Sequence, residues 1–161
     1  MVVYLLNMNP PKFSKKQPKA SIIPQFSDKT PRISPSNIVN YDEETIAWLF
    51  SMIDLNGKWG WLNIDEDTLI NIILPKIKSF EKMTWGEFTK RRSNHHSLPV
   101  KNIIKEAQDR LIEIELEDIE TLFSFSISGE KRLWGIRDTV HCKILWWDQN
   151  HEIYPSEKKH T

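Results

Sequence analysis

The strongest constraint on this chain is a change of period. From Phe123 the residues alternate strictly, Phe-Ser-Phe-Ser-Ile-Ser through Ser128, whereas the apolar residues upstream recur at helical spacing. Alternation of this kind sends successive side chains to opposite faces of a strand. Gly129-Glu130, Asp138-Thr139 and Asp148-Gln-Asn150 divide the remaining chain into Lys131–Arg137, Val140–Trp147 and His151–Tyr154. Strands joined by so few residues have no room for a crossover, so they pair antiparallel. The expected fold is α+β, with N-terminal helices packed on a C-terminal four-stranded antiparallel meander.

The helices are read from spacing. Ile46, Leu49, Phe50 and Ile53 sit at i, i+3, i+4 and i+7 and predict a first helix, stopped by Asp54 and Asn56-Gly57. Lys58-Trp-Gly-Trp-Leu62 is an aromatic turn suited to plugging a core. A second helix begins near Asp65, where Asp65, Glu66 and Asp67 suit a positive helix end. It turns Leu69, Ile70, Ile73, Ile77 and Phe80 inward, and Pro75 must kink or split it. Thr84 and Glu87 have capping-box spacing and open a third short helix through Lys90. A fourth, over 99–113, starts at Pro99 and carries the clearest apolar stripe. Val100, Ile103, Ile104, Ala107, Leu111 and Ile114 form that stripe, with Ile104 facing the sheet. The acids Glu113, Glu115, Glu117, Asp118 and Glu120 then make a wet face, or a dock for a basic partner.

Six of the nine prolines lie before residue 40, which excludes helix there. Residues 1–38 are therefore expected to form an extended, basic, proline-rich arm, and 39–161 a single α+β domain. The chain has no net charge, yet its first forty residues hold six cations, Lys12, Lys15, Lys16, Lys19, Lys29 and Arg32, against Asp28 alone. Such an arm is a solvated linker or a strap for an acidic partner. A single cysteine, Cys142, excludes an intrachain disulfide and suits a reducing, cytoplasmic setting. No apolar run approaches bilayer length, so no membrane association is expected. Met1–Leu6 is too short for a signal-peptide core, and Met8 is a second candidate start.

No phosphate-binding glycine loop, Cys-x-x-Cys pair or Gly-x-Ser-x-Gly elbow occurs, and no metal or cofactor is expected. Asp148 and His151 could hold a metal across a turn, although polar turn residues are the commoner explanation. Two basic groups invite a nucleic-acid reading. Lys90, Arg91 and Arg92, followed by His95 and His96, fall in a loop and at a helix start, where cations and amides grip phosphate. On the strands, Arg132, Trp134 and Ile136 share one face, and Leu133, Gly135 and Arg137 the other. Val140, Cys142, Ile144 and Trp146 oppose His141, Lys143, Leu145 and Trp147. This mixture predicts one core face and one basic, aromatic-dotted face, with Lys143 on the latter.

The segment from Ser128-Gly129 to Arg132, the strand Ile144–Trp147 and the closing His151-x-x-Tyr154 resemble the RelE/ParE superfamily of bacterial toxins. Arg132-Leu-Trp-Gly-Ile136, Trp146-Trp-Asp148, His151 and Tyr154-Pro155 also resemble small bacterial proteins of unassigned function. The likeness is confined to the C-terminal sheet. It implies metal-independent cleavage of messenger RNA, with the ribosome and an antitoxin as possible partners. Arg132 or Arg137 would match the arginine that neutralises the scissile phosphate, and His151 and Tyr154 the terminal acid–base pair. The chain departs from the pattern in separating His151 from Tyr154 by two residues, in its larger helical half and in its zero net charge. ParE-like members are not nucleases, so fold alone does not decide. The alternative is a non-catalytic protein-interaction or nucleic-acid-binding module, phage or mobile-element encoded.

Overall fold

A computed structural model describes residues 40–155. The chain divides between Asn37 and Ile38 into two units, and all of the described residues belong to the second. The arm expected over 1–38 lies outside the described residues. The α+β layout stands, but the sheet is five-stranded and mixed, not a four-stranded meander.

Its centre is the predicted run of three strands: β3 (Thr121–Ser128), β4 (Lys131–Asp138) and β5 (His141–Asp148). Tight turns link them, with Gly129 at φ +52° and Thr139 at φ +57°. Glycine adopts that left-handed conformation freely, while a β-branched threonine is strained in it. Two short strands, β1 (Ala47–Leu49) and β2 (His96–Pro99), complete the sheet in the order β1-β5-β4-β3-β2. β2 runs antiparallel to β3, and β1 runs parallel to β5. The sequence pattern marks neither as a strand. The helix read over 46–53 is β1 and a loop, because Ile46 and Trp48 pack into the core two residues apart. Four apolar residues in so short a window fit the helical spacing by coincidence, while the strand itself is too short to show its own period. Pro99 ends an edge strand, where its missing amide leaves no ladder bond unmade.

The last predicted strand, His151–Tyr154, is a turn. The Asp148 carboxylate accepts the amides of Glu152 (2.9 Å) and Ile153 (3.0 Å), and His151 adopts φ +58°. A backbone captured in this way cannot also extend along β5.

Both faces of the sheet are apolar and covered, which corrects the expectation of one basic face. Phe123, Phe125, Ile127, Leu133, Cys142 and Ile144 face α1 (Leu74–Phe80) and α2 (Trp85–Phe88) through Ile77, Phe80, Trp85 and Phe88. On the other side Leu122, Trp134, Ile136, Leu145 and Trp146 pack with Trp59, Ile103, Ile153 and the Ala107 and Leu111 of α3 (Lys105–Glu113). A bulge in β5 explains part of the difference. Gly135 opposes Ile144 and Trp134 opposes Trp146, so Leu145 is an extra residue and the alternation shifts beyond it. Trp147 thereby joins the first face and Trp146 the second. Gly135 is required at this crossing, since a Cβ would lie 2.6 Å from Cys142 Sγ and 2.9 Å from the Lys143 carbonyl.

The helix from Asp65 forms as a π-helical stretch, Thr68–Ile73, running into α1. Asp65 accepts the amide (2.8 Å) and hydroxyl (2.7 Å) of Thr68, and the change to α geometry falls at Leu74-Pro75. Wider π turns rotate the apolar face. Ile70 is consequently half exposed, and Ile72 instead packs on the core. α2 has the predicted capping box, with the Thr84 amide donating to Glu87 Oε2 at 2.8 Å, but ends at Phe88. α3 starts six residues later than expected. Val100–Asn102 is a separate 3-10 turn, and Ile104 caps α3 with its amide on the Ile153 carbonyl, only partly buried. Ion pairs fasten α3 to the loop after β1, the exposed one being Lys58 with Glu106 and the buried one Arg110 with Asp54. Arg110 Nε and Nη2 each donate to the Asp54 carboxylate at 2.8 Å, and Trp146 Nε1 adds a bond of 2.9 Å. The sequence marks Asp54 only as a helix stop.

Candidate functional site

One end of the sheet gathers the unusual side chains. The start of β2, the end of β3, the start of β4 and the turn after β5 meet there, bringing together His95, His96, Ser128, Arg132 and His151. Arg132 stands opposite Asp148 in the β4–β5 register. Its Nη1 donates to the carbonyls of Gly129 (2.6 Å) and Lys131 (3.0 Å), and its buried Nε has no partner among the described residues. Burial depresses the guanidinium pKa, against the pull of Asp148 and Glu130. A desolvated guanidinium with an N–H still unbonded can take an anion.

Asp148 itself is fully buried and spends both oxygens on the turn that carries His151. The metal reading of Asp148 and His151 therefore gives way to a turn clamp. Among the described residues no group of three or more His, Cys, Asp or Glu side chains is placed to hold a metal ion. Burial lowers the pKa of His151, and the charge of Arg132 lowers it further, while Asp148 and Glu130 oppose this and His96 adds a smaller depression. His96 is lowered by burial first, with the Asn94 backbone opposing and Arg132 reinforcing. Both histidines feel the charge of Arg132, so the three form one electrostatic cluster. Tyr154 closes it, its ring edge-on to His96 at 6.3 Å between centroids.

His95 points into the first core, not outward beside its neighbour. Phe80 and Phe88 meet it edge-on at 5.2 and 5.0 Å, and its Nδ1 accepts the Ser126 amide at 3.1 Å. Burial, then Lys76 and Arg132, push its pKa to about 4. The ring is thus neutral near pH 7, with the proton on Nε2. It also lines an open cavity of about 600 Å³ together with Lys76, Lys90, Arg92, Ser128 and Gly129.

The structure thus assembles Arg132, His151, Tyr154 and His96, and places His95, Lys90 and Arg92 around the adjoining cavity. Arg91 is exposed and does not line it. Arg137 and Lys143 are elsewhere, at the far end of β4 and β5. Five residues of strand separate Arg137 from Arg132, about 17 Å. Arg137 pairs with Asp42 at 2.7 Å and lies 4.3 Å over the Trp85 ring, and Lys143 pairs with Asp138 at 2.8 Å. Lys76 carries no signal in the sequence, because only the docking of α1 beside β3 brings it to the cavity. Cys142 is buried with its thiol pKa raised by desolvation, so it is no nucleophile. Among the described residues no helix is long and apolar enough to cross a membrane. No family model matches the chain, and no curated protein or solved structure matches it at a significant level.

Proposed function

We propose that this protein acts on RNA as a toxin of the RelE type, cleaving the strand through its 2′-hydroxyl. The supporting observation is the electrostatic cluster of Arg132, His96 and His151 beside Tyr154. In this reading neutral His151 takes the proton of the 2′-hydroxyl as its oxygen attacks the adjacent phosphorus. Arg132 stabilises the extra negative charge on the phosphoryl oxygens. Tyr154, oriented by His96, gives its proton to the departing 5′-oxygen, leaving a 2′,3′-cyclic phosphate and a free 5′-hydroxyl. An acid, a base and a cation are what this transesterification requires. The substrate is RNA alone or on the ribosome, and an antitoxin protein is the expected partner.

Induced expression and purified protein test the reading together. Wild type should slow growth and cut RNA, while His151→Ala should lose both and keep the wild-type melting temperature to within a few degrees. Wild-type protein that leaves RNA intact, alone and with ribosomes, and does not slow growth would overturn the proposal in favour of a non-catalytic binding module.

A further inference from the structure

A second cavity, of about 470 Å³, adjoins the basic one. Lys76, Ile127 and Ser128 line both, so the two form a continuous groove between α1 and the end of β3. Their characters differ. Three cations, Lys76, Lys90 and Arg92, line the first, against one carboxylate, Glu87, which is occupied by the Thr84 amide. The second is walled by Ile72, Pro75 and Ile127, with Asn71 and Ser79 at its rim. Each has the size of a small-ligand site. An anion-binding pocket beside an apolar one with polar edges has the layout of a nucleotide: phosphate, then a flat base with hydrogen-bonding edges.

We propose that this groove is a nucleotide subsite, in which Lys76, Lys90, Arg92 and His95 hold a phosphate of single-stranded RNA while the apolar cavity takes the adjoining base. The subsite extends the proposed action on RNA and rests on it. His95 links the two, since its ring lines the groove and its charge state responds to both Lys76 and Arg132. Lys76 is steadied by the Phe80 ring, 5.6 Å from its ammonium. Ser79 and Asn71 are already held, Ser79 donating to the Lys76 carbonyl at 2.8 Å and Asn71 to Asp67 at 2.7 Å, so the rim is preorganised. Duplex RNA cannot offer a base to such a pocket, because its bases are stacked and paired.

Binding of the full chain to a hexanucleotide with 2′-O-methyl riboses, which cannot be cleaved through the 2′-oxygen, tests this against an abasic oligomer of equal charge. The base-bearing strand should bind about tenfold tighter or better, as an occupied base pocket implies. Ser79→Trp, at an exposed site, fills the apolar cavity and should bring the two within about twofold without weakening the abasic strand. Lys90→Glu with Arg92→Glu should weaken both and flatten their salt dependence. Equal binding of the two strands by wild type, or discrimination surviving Ser79→Trp, overturns the subsite. Discrimination without any RNA cleavage by wild type upholds the subsite and removes the nuclease reading alone. Cleavage with equal binding does the reverse.

Discussion

Two arginines on one strand face opposite fates. Arg137, at one end of β4, is satisfied: a carboxylate at 2.7 Å and an indole face beneath it account for its charge. Arg132, at the other end, donates hydrogen bonds only to backbone carbonyls among the described residues, where its buried Nε has no partner, and its charge bears on His96 and His151. The sequence offers both as the phosphate-binding arginine on equal terms. Packing separates them, because a charge already neutralised has little left for a ligand, whereas one held half-desolvated gains by accepting an anion.

The sharpest break of this comparison is in activity. Arg132→Ala should lower RNA cleavage by about 10²–10⁴-fold, the usual range for a positioned catalytic group, and Arg137→Ala should leave the rate of folded protein unchanged. Equal losses would dissolve the distinction. The pH profile adds a signature. His151 has a pKa lowered by burial and by Arg132, so activity should reach half its plateau below pH 6.5. A midpoint above 6.5 would remove His151 from the role of base.

A third arginine gives the next largest effect, on stability alone. Arg110→Ala would strand the buried Asp54 carboxylate and should destabilise the domain by about 3–5 kcal/mol in denaturant titration. The pair also sets an acid limit. Burial raises the Asp54 pKa, but bonds from Arg110, Trp146 and the Asn56 amide outweigh it and hold the carboxyl below 3.8. Its stabilisation is therefore complete above that value and lost as pH falls through the lowered folded-state pKa. Arg110→Ala should abolish that part of the acid transition. The smallest effect belongs to Arg137→Ala, which should cost about 1 kcal/mol, the scale of a partly exposed ion pair with a cation–π contact. A loss comparable to that of Arg110→Ala would show that the two ends of β4 differ less than their contacts imply.

The central strands were legible because alternation and two-residue turns are local signals. β1 and β2 were not, since three or four residues cannot establish a period and their pairing depends on distant partners. The β5 bulge was hidden for another reason: Ile144-Leu-Trp-Trp147 is apolar throughout, so no polar residue marks where the alternation slips. At the site, Arg132, His151 and Tyr154 are marked only by the resemblance of the C-terminal segment to the RelE/ParE superfamily, and composition and spacing alone do not single them out. The partnership of His96 with them, and that of Lys76 with Lys90 and Arg92, arises from strand pairing and helix docking that no short motif encodes.

The bulge has a consequence for how the site is spaced. Counting on from the Gly135–Ile144 pair with Leu145 drawn into the ladder, regular pairing would set Trp147 against Arg132 and Asp148 against Lys131. The surplus residue therefore works as a shim: it takes up a single step of β5 and brings an acidic side chain level with the arginine across the ladder. Were Leu145 to enter the ladder, every side chain of the cluster would remain and its alignment would be lost, with the turn bearing His151 anchored one notch out of place.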